Sequence, residues 1–122
     1  MGLDLQTLND VANWMAASGK GILAADESTP TIGKRFDQIG AESTEKSRNA
    51  YRDLLFSSNG IEQYISGVIL FDETLRQFSL DGGTPYPDYL SNLGIIPGIK
   101  VDKGAKPLAG FPGETITEGL DG

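Results

Sequence analysis

Three short apolar segments, each followed at once by polar residues, constrain the fold of this chain more than any other feature. They occupy residues 21–25, 64–71 and 95–101. Each is too short for a buried helix, and helical patterns separate them, so the sequence predicts three buried strands of a parallel sheet. Folds of this α/β class place their chemistry where the strands end. The polar residues after each segment are therefore the first candidates for function.

The segments between the strands show apolar residues at helical spacing. These patterns predict helices over residues 3–18, 30–39, 43–56, 74–78 and 87–92. Thr29 is predicted to be the N-cap of the second helix. In the third helix, Tyr51, Leu54 and Leu55 are expected to share one face, with Arg48 and Arg52 elsewhere. From residue 105 onward, closely spaced glycines predict turns and a small hairpin.

Composition excludes several classes of function. The chain has no Cys and no His, so a thiolate nucleophile, a Ser-His-Asp triad and a His-ligated metal are all excluded within it. We expect no metal site and no cofactor. Ten basic residues against 17 acidic ones give a net charge of −7, which disfavours nucleic acid as a partner. No apolar run is long enough for a membrane span and no signal pattern opens the chain, so a cytoplasmic protein is expected.

Lys100 is the most unusual residue of the third apolar segment. In strand alternation it shares a face with Asp102, and its neighbours Ile99 and Val101 point the other way. A buried ammonium needs a counter-charge or an anionic ligand. Three interpretations remain open, namely a structural ion pair with Asp102 or Asp26, a side chain that reaches solvent, or a ligand-binding cation.

Asp26 and the hydroxyl residues after it form a second candidate group. Asp26 ends the first strand behind small residues, so it either faces a substrate cavity or caps the following helix. Ser28 and Thr31 flank the predicted start of that helix, where free N–H groups, the helix dipole and hydroxyls favour a phosphate. An ordinary helix cap is the alternative for these hydroxyls.

Five sequence stretches together resemble class I fructose-bisphosphate aldolase. They are GKGILAADEST at 19–29, GVILFDETL at 67–75, GIKVDKG at 98–104, PLAG at 107–110 and GETITEGLDG at 113–122. The stretches cover nearly the whole chain in the family's order. They correspond to about the first third of the family's length, so we expect residues 1–122 to be the N-terminal part of one aldolase domain.

The resemblance implies a TIM (β/α)₈ barrel, of which this chain supplies the N-terminal helix and about three strands. It also implies the reversible cleavage of fructose 1,6-bisphosphate to glyceraldehyde 3-phosphate and dihydroxyacetone phosphate, in glycolysis and gluconeogenesis. The mechanism needs no metal, because a lysine Schiff base acts as the electron sink. The implied partner is a phosphorylated sugar, and the implied assembly is a homo-oligomer, commonly a tetramer.

The resemblance also assigns roles to individual residues. Asp26 matches an aspartate that orients the substrate and assists proton transfer, and Lys100 matches a lysine that meets the phosphate and hydroxyl end. Four further residues match positions associated with substrate phosphate binding, namely Ser28, Thr31, Arg35 and Arg48. Thr31 stands where the family has a serine. Asp72 departs from the pattern, and no role is assigned to it.

The family's Schiff-base lysine has no counterpart in this chain, so the chain alone is expected to be inactive. Lys100 should not be taken as that nucleophile. A stand-alone, non-catalytic module that binds sugar phosphates or a partner is the alternative function. Such a module would have to protect the open edges of its sheet.

Overall fold

The computed structural model describes residues 6–121. Its helices are α1 Leu8–Met15, α2 Thr29–Asp37, α3 Glu45–Phe56, α4 Asp72–Leu75 and α5 Tyr86–Asn92. Its strands are β1 Gly21–Ala25, β2 Ile65–Leu70, β3 Ile96–Ile99, β4 Ala105–Pro107 and β5 Thr115–Thr117. A single 3₁₀ turn, Ile61–Gln63, precedes β2.

The first three strands form a parallel sheet in the order β1-β2-β3. Ala24, Ile69 and Gly98 lie side by side in this register, as do Ala25 and Leu70. The carboxyl ends of the three strands therefore meet at one edge of the sheet, as the positions of the polar residues predicted. The hairpin predicted after residue 105 is also present, as the antiparallel pair β4 and β5.

The core lies between one face of this sheet and the helices α3 and α5. Its fully buried members come from both layers, namely Ala25, Phe56, Val68, Leu70, Tyr86, Leu90 and Ile95. The rings of Phe56 and Tyr86 meet edge to face, with centroids 5.1 Å apart. The Tyr86 hydroxyl donates to Asn49 Oδ1 at 2.7 Å, so this buried polar atom is satisfied.

The expectation that all three strands are buried is wrong for β3, in which no residue is fully buried and Ile99 is 43% exposed, and it is also wrong for β1. Only Ala25 is fully buried there, and Ile22 is 52% exposed. In β1 the reason is strand alternation, because Ile22 and Ala24 lie on the face opposite to that of the buried Ala25. β2 lies between the other two strands and is the best buried of the three.

Helix α1 is shorter than predicted and buries none of its residues. It begins after Thr7, whose side chain accepts the Asp10 N–H, and it ends at Met15; residues 3–5 of the predicted helix lie outside the described residues. The Ser66 hydroxyl donates to the Met15 carbonyl at 2.7 Å. The Trp14 indole donates to the Gly94 carbonyl at 3.1 Å. These bonds hold α1 near the amino ends of β2 and β3.

Several element boundaries differ from the sequence prediction. Helix α4 covers Asp72–Leu75 instead of residues 74–78, and β3 ends at Ile99 instead of residue 101. Ser28, not Thr29, is the N-cap of α2, and Pro30 lies one position later than expected. Strand β3 begins only at Ile96, because Gly94 adopts a φ of 77° and the Ile95 N–H returns to the Leu90 carbonyl. Within residues 6–121, no helix is both long enough and apolar enough to cross a membrane.

Candidate functional site

A cleft of about 560 Å³ opens at the carboxyl ends of the three parallel strands. The residue that follows each strand lines it, namely Asp26 after β1, Phe71 after β2 and Lys100 after β3. The remaining lining residues come from the segments that follow β1 and β3, namely Glu27, Ser28, Thr31, Asp102, Lys103 and Gly104. The parallel register thus places side chains that are 74 positions apart in sequence, Asp26 and Lys100, in one cavity.

Lys100 lies between two carboxylates in this cleft. Its ammonium is 3.7 Å from Asp26 Oδ2 and is directly hydrogen-bonded to Asp102. Both of the ion pairs considered from the sequence therefore form together. All three side chains keep about a quarter to a third of their surface exposed, at 27% for Lys100, 24% for Asp26 and 34% for Asp102. A solute in the cleft can reach them.

The electrostatics of this cluster keep Lys100 protonated. The hydrogen bond to Asp102 raises the pKa of Lys100; burial opposes this effect, and the negative charges of Asp102 and Asp26 add to it. In the same way, the bond from Lys100 holds the pKa of Asp102 below its ordinary value. The cleft therefore offers an ammonium beside two carboxylates, a set of groups that can hydrogen-bond the hydroxyl groups of a ligand.

Ser28 and Thr31 lie at the start of α2, at the rim of the same cleft. Their hydroxyl oxygens are 3.1 Å apart, and the Ser28 side chain makes no capping bond to the first turn of the helix. The ordinary cap considered from the sequence is thus absent for Ser28. Ser28 and Thr31 line the cavity that holds Lys100, and they lie at the N-terminal end of α2, where the helix dipole favours an anion.

Arg35 does not line the cleft in this structure. Its guanidinium donates to Glu27 Oε1 at 2.7 Å and to the Tyr51 hydroxyl at 3.2 Å. Since Glu27 does line the cleft, Arg35 is linked to it through one intervening side chain. About half of the Arg35 side chain, 53%, is exposed.

Arg48 also lies outside the cleft lining. It forms a bidentate pair with Glu73, with both N···O distances at 2.8 Å, and it donates to the Ser43 carbonyl at 3.1 Å. The bond from Arg48 holds the pKa of Glu73 below its ordinary value. Of the six predicted site residues, the structure therefore brings together Asp26, Lys100, Ser28 and Thr31, and it places the two arginines on neighbouring ion pairs.

Sequence reasoning missed Arg52 and Glu27. Arg52 is only 2% exposed and is paired with the carboxylate of Glu27, which follows Asp26. Burial tends to raise the pKa of Glu27, but the hydrogen bond from Arg52, a backbone bond and the charges of Arg52 and Arg35 lower it below its ordinary value. The available signal was helical spacing, since Arg52 lies four residues before the core residue Phe56.

Comparisons with known proteins identify the family of the chain. A family model described as "Fructose-bisphosphate aldolase class-I" matches residues 7–122. The chain is 58% identical over 120 residues to a "Probable fructose-bisphosphate aldolase class 1" of Xanthomonas campestris, and the match covers 98% of the chain and 36% of the relative. It is 61% identical over 115 residues to "Fructose-bisphosphate aldolase 1" of Toxoplasma gondii, covering 94% of the chain and 31% of the relative.

Comparison with solved structures agrees with the sequence matches. A fructose-bisphosphate aldolase from Plasmodium falciparum superposes with a TM-score of 0.81 at 52% identity, covering 90% of this chain and 31% of that one. The predicted fold, the beginning of a TIM barrel, is thereby confirmed. The chain spans about a third of the length of the curated relatives that it matches.

Proposed function

Because the chain belongs to the class I fructose-bisphosphate aldolase family, we propose that it forms part of the active site of an enzyme that reversibly cleaves fructose 1,6-bisphosphate. The products are glyceraldehyde 3-phosphate and dihydroxyacetone phosphate. The observation that carries the proposal is the cleft that joins Asp26, Lys100 and the two hydroxyls at the start of α2. A phosphorylated sugar needs cationic, carboxylate and hydroxyl partners of this kind in one cavity.

Lys100 has the role of a cation that binds the phosphate and hydroxyl end of the sugar. A Schiff-base lysine must lose its proton before its nitrogen can attack the keto carbon. Ion pairing raises the pKa of Lys100, so its nitrogen lone pair is bound to a proton at neutral pH. The Schiff-base lysine is therefore expected in the part of the enzyme that corresponds to the remaining two thirds of the relatives.

Asp26 has the role of a carboxylate that orients the sugar and assists proton transfer. It is 24% exposed toward the cleft and 3.7 Å from the Lys100 ammonium, so it can accept a hydrogen bond from a substrate hydroxyl. Ser28 and Thr31 supply hydroxyls for a phosphate. The phosphate-binding roles of Arg35 and Arg48 remain predictions, because carboxylates hold both guanidinium groups. Glu27, which lines the cleft, holds Arg35, and Glu73, which does not, holds Arg48.

We propose a homotetramer that acts in the cytoplasm, in glycolysis and gluconeogenesis, since the relatives include a plant aldolase named as cytosolic. We favour the enzyme over a stand-alone binding module because Ile22 of β1 is more than half exposed. A parallel sheet that exposes apolar strand residues normally has further elements packed against it.

A chimaera tests the proposal. Residues 7–122 of this chain replace the aligned residues of the Toxoplasma gondii relative, with the Xanthomonas campestris relative as a second host. We expect cleavage of fructose 1,6-bisphosphate within about tenfold of the parent kcat/KM, since each host shares more than half of these residues. Chimaeras that melt cooperatively but cleave no bisphosphate, beside active parents, would refute the proposal.

Borohydride trapping tests the division of roles among the lysines. Reduction of the active chimaera with bound bisphosphate should attach the sugar to a lysine supplied by the host segment. Peptide mass analysis should find Lys100 unmodified. A stoichiometric adduct on Lys100 would show that its assignment as a binding cation is wrong.

A further inference from the structure

Arg52 of α3 is buried and makes three contacts, two of them with Glu27, which follows the carboxyl end of β1. Its guanidinium is paired with the Glu27 carboxylate, donates to the Glu27 carbonyl at 2.7 Å, and donates to Thr74 Oγ1 at 3.3 Å. The side chain is 2% exposed. A guanidinium at this depth is tolerated only when its donors are satisfied. The folded chain therefore strongly favours the arrangement in which Arg52 holds Glu27.

The two contacts on Glu27 restrain both its side chain and its main chain. The carbonyl contact sets the orientation of the peptide plane between residues 27 and 28, and the carboxylate contact sets the direction of the side chain. Asp26 immediately precedes this restrained residue, and Ser28 immediately follows it. Both of these flanking residues line the cleft. The two contacts of Arg52 with Glu27, here called the clamp, therefore set the direction in which their side chains point into the cleft.

The clamp is rigid because it joins three elements. Arg52 belongs to α3, Glu27 follows β1, and Thr74, which is 2% exposed, lies in α4 after β2. The guanidinium is planar and has a fixed donor geometry, so a shift of one acceptor disturbs the bonds to the others. The residues that follow the carboxyl ends of β1 and β2 are thereby held in a fixed position relative to each other.

We propose that Arg52 is a positioning residue for Asp26. It does not line the cleft and it acts through Glu27, so its role is to hold the Asp26 carboxylate toward Lys100 and the substrate. This inference rests on the proposed aldolase function. Small misplacements of a catalytic group, on the order of 1 Å, can lower a rate by roughly 100-fold.

The test uses the active chimaera with the variants R52M, R52K and E27Q and the double variant R52M/E27Q. We expect R52M to lower kcat by roughly 10- to 100-fold with a smaller change in KM, because β3 holds Lys100 independently of Arg52. R52K should recover part of the loss, since an ammonium can satisfy one of the Glu27 acceptors. The double variant should be no slower than R52M, because both substitutions break the same contact.

Tyr86→Phe is the matched control for loss of stability. Tyr86 is buried, its ring packs against Phe56 of α3, and its hydroxyl donates to Asn49 and Asp53 of α3, not to the residues after β1. This variant should melt at a lower temperature and keep kcat within about twofold of the unmodified chimaera.

The outcomes separate the inference from the function on which it rests. An unmodified chimaera that folds but is inactive counts against the aldolase proposal. An active chimaera in which R52M loses thermal stability but keeps kcat within about twofold, as the control does, overturns the positioning role. If R52M fails to fold, the test uses R52K, E27Q and the double variant R52K/E27Q. If the double variant folds and its loss of kcat equals the product of the two single losses, the two residues act independently and the positioning role is overturned.

Discussion

Replacing Lys100 by Met removes the cation from the cleft and leaves its surroundings in place. The substitution conserves the approximate length of the side chain and deletes the charge that lies 3.7 Å from Asp26 and against Asp102. The substrate loses a charge-assisted hydrogen-bond donor, and two carboxylates then face each other without a counter-charge. We therefore expect K100M to weaken substrate binding and turnover together.

The structure sets the size of the two effects. A hydrogen bond from a charged group contributes about 1.5–3 kcal/mol, so kcat/KM for the bisphosphate should fall by roughly 10- to 150-fold. The effect on stability is much smaller. Lys100 and Asp26 are each about a quarter exposed, and solvent screening limits an ion pair of this kind to about 1 kcal/mol or less. Function and stability should therefore respond very differently.

The assay compares steady-state cleavage and thermal unfolding for K100M, K100R and the unmodified chimaera. K100R keeps the positive charge and should retain more activity than K100M. Lost activity in K100M should be accompanied by an almost unchanged unfolding midpoint. A K100M protein whose kcat/KM stays within about threefold of the unmodified chimaera would refute the assignment of Lys100 as a substrate-binding cation.

Three further predictions concern stability. Arg48 lowers the pKa of Glu73, so this pair stabilises the fold fully above the unfolded carboxyl pKa of 4.5. The stabilisation is lost as the pH falls through the lower pKa of the folded state. In E73Q, the free energy of unfolding should therefore depend less steeply on pH in the acid range. A Cβ at Gly67 would lie 2.7 Å from Sδ of Met15, the flexible end of that side chain, which can move aside, so G67A should cost no more than about 1 kcal/mol in urea unfolding; a loss above about 3 kcal/mol would contradict this reasoning. Phe56 is fully buried, so F56A should cost about 3–5 kcal/mol, and a loss below about 1 kcal/mol would contradict the core described here.

Local sequence determined the order of elements and the polarity of each strand end. Apolar segments of strand length followed by Asp26 or Asp102 predicted both the parallel sheet and the edge that carries the cleft. The sequence also predicted an ion pair of Lys100 with Asp102, and the two side chains are hydrogen-bonded, although β3 ends at Ile99 and both residues lie beyond it. These properties depend on residues that are close in sequence, so spacing alone reveals them.

Only the tertiary structure decided which side of α3 is buried. Leu54, which was predicted to share an apolar face with Tyr51 and Leu55, is 70% exposed, whereas Arg52 is only 2% exposed. Hydrophobicity alone places an arginine outside, because the counter-charge that makes its burial tolerable lies 25 positions earlier at Glu27. A local pattern does not reveal a partner brought in by another strand.

The same distinction applies to the candidate site, whose chemical groups and spatial arrangement have different origins. The residue types of Asp26, Ser28 and Lys100 suggest phosphate and carboxylate chemistry, and the resemblance to a family assigns them roles. Their convergence on one cleft depends on the pairing of β1 with β2 and of β2 with β3. The sequence by itself thus determined which groups are available, and the register of three strands decided which of them meet, because parallel pairing joins residues that are far apart along the chain.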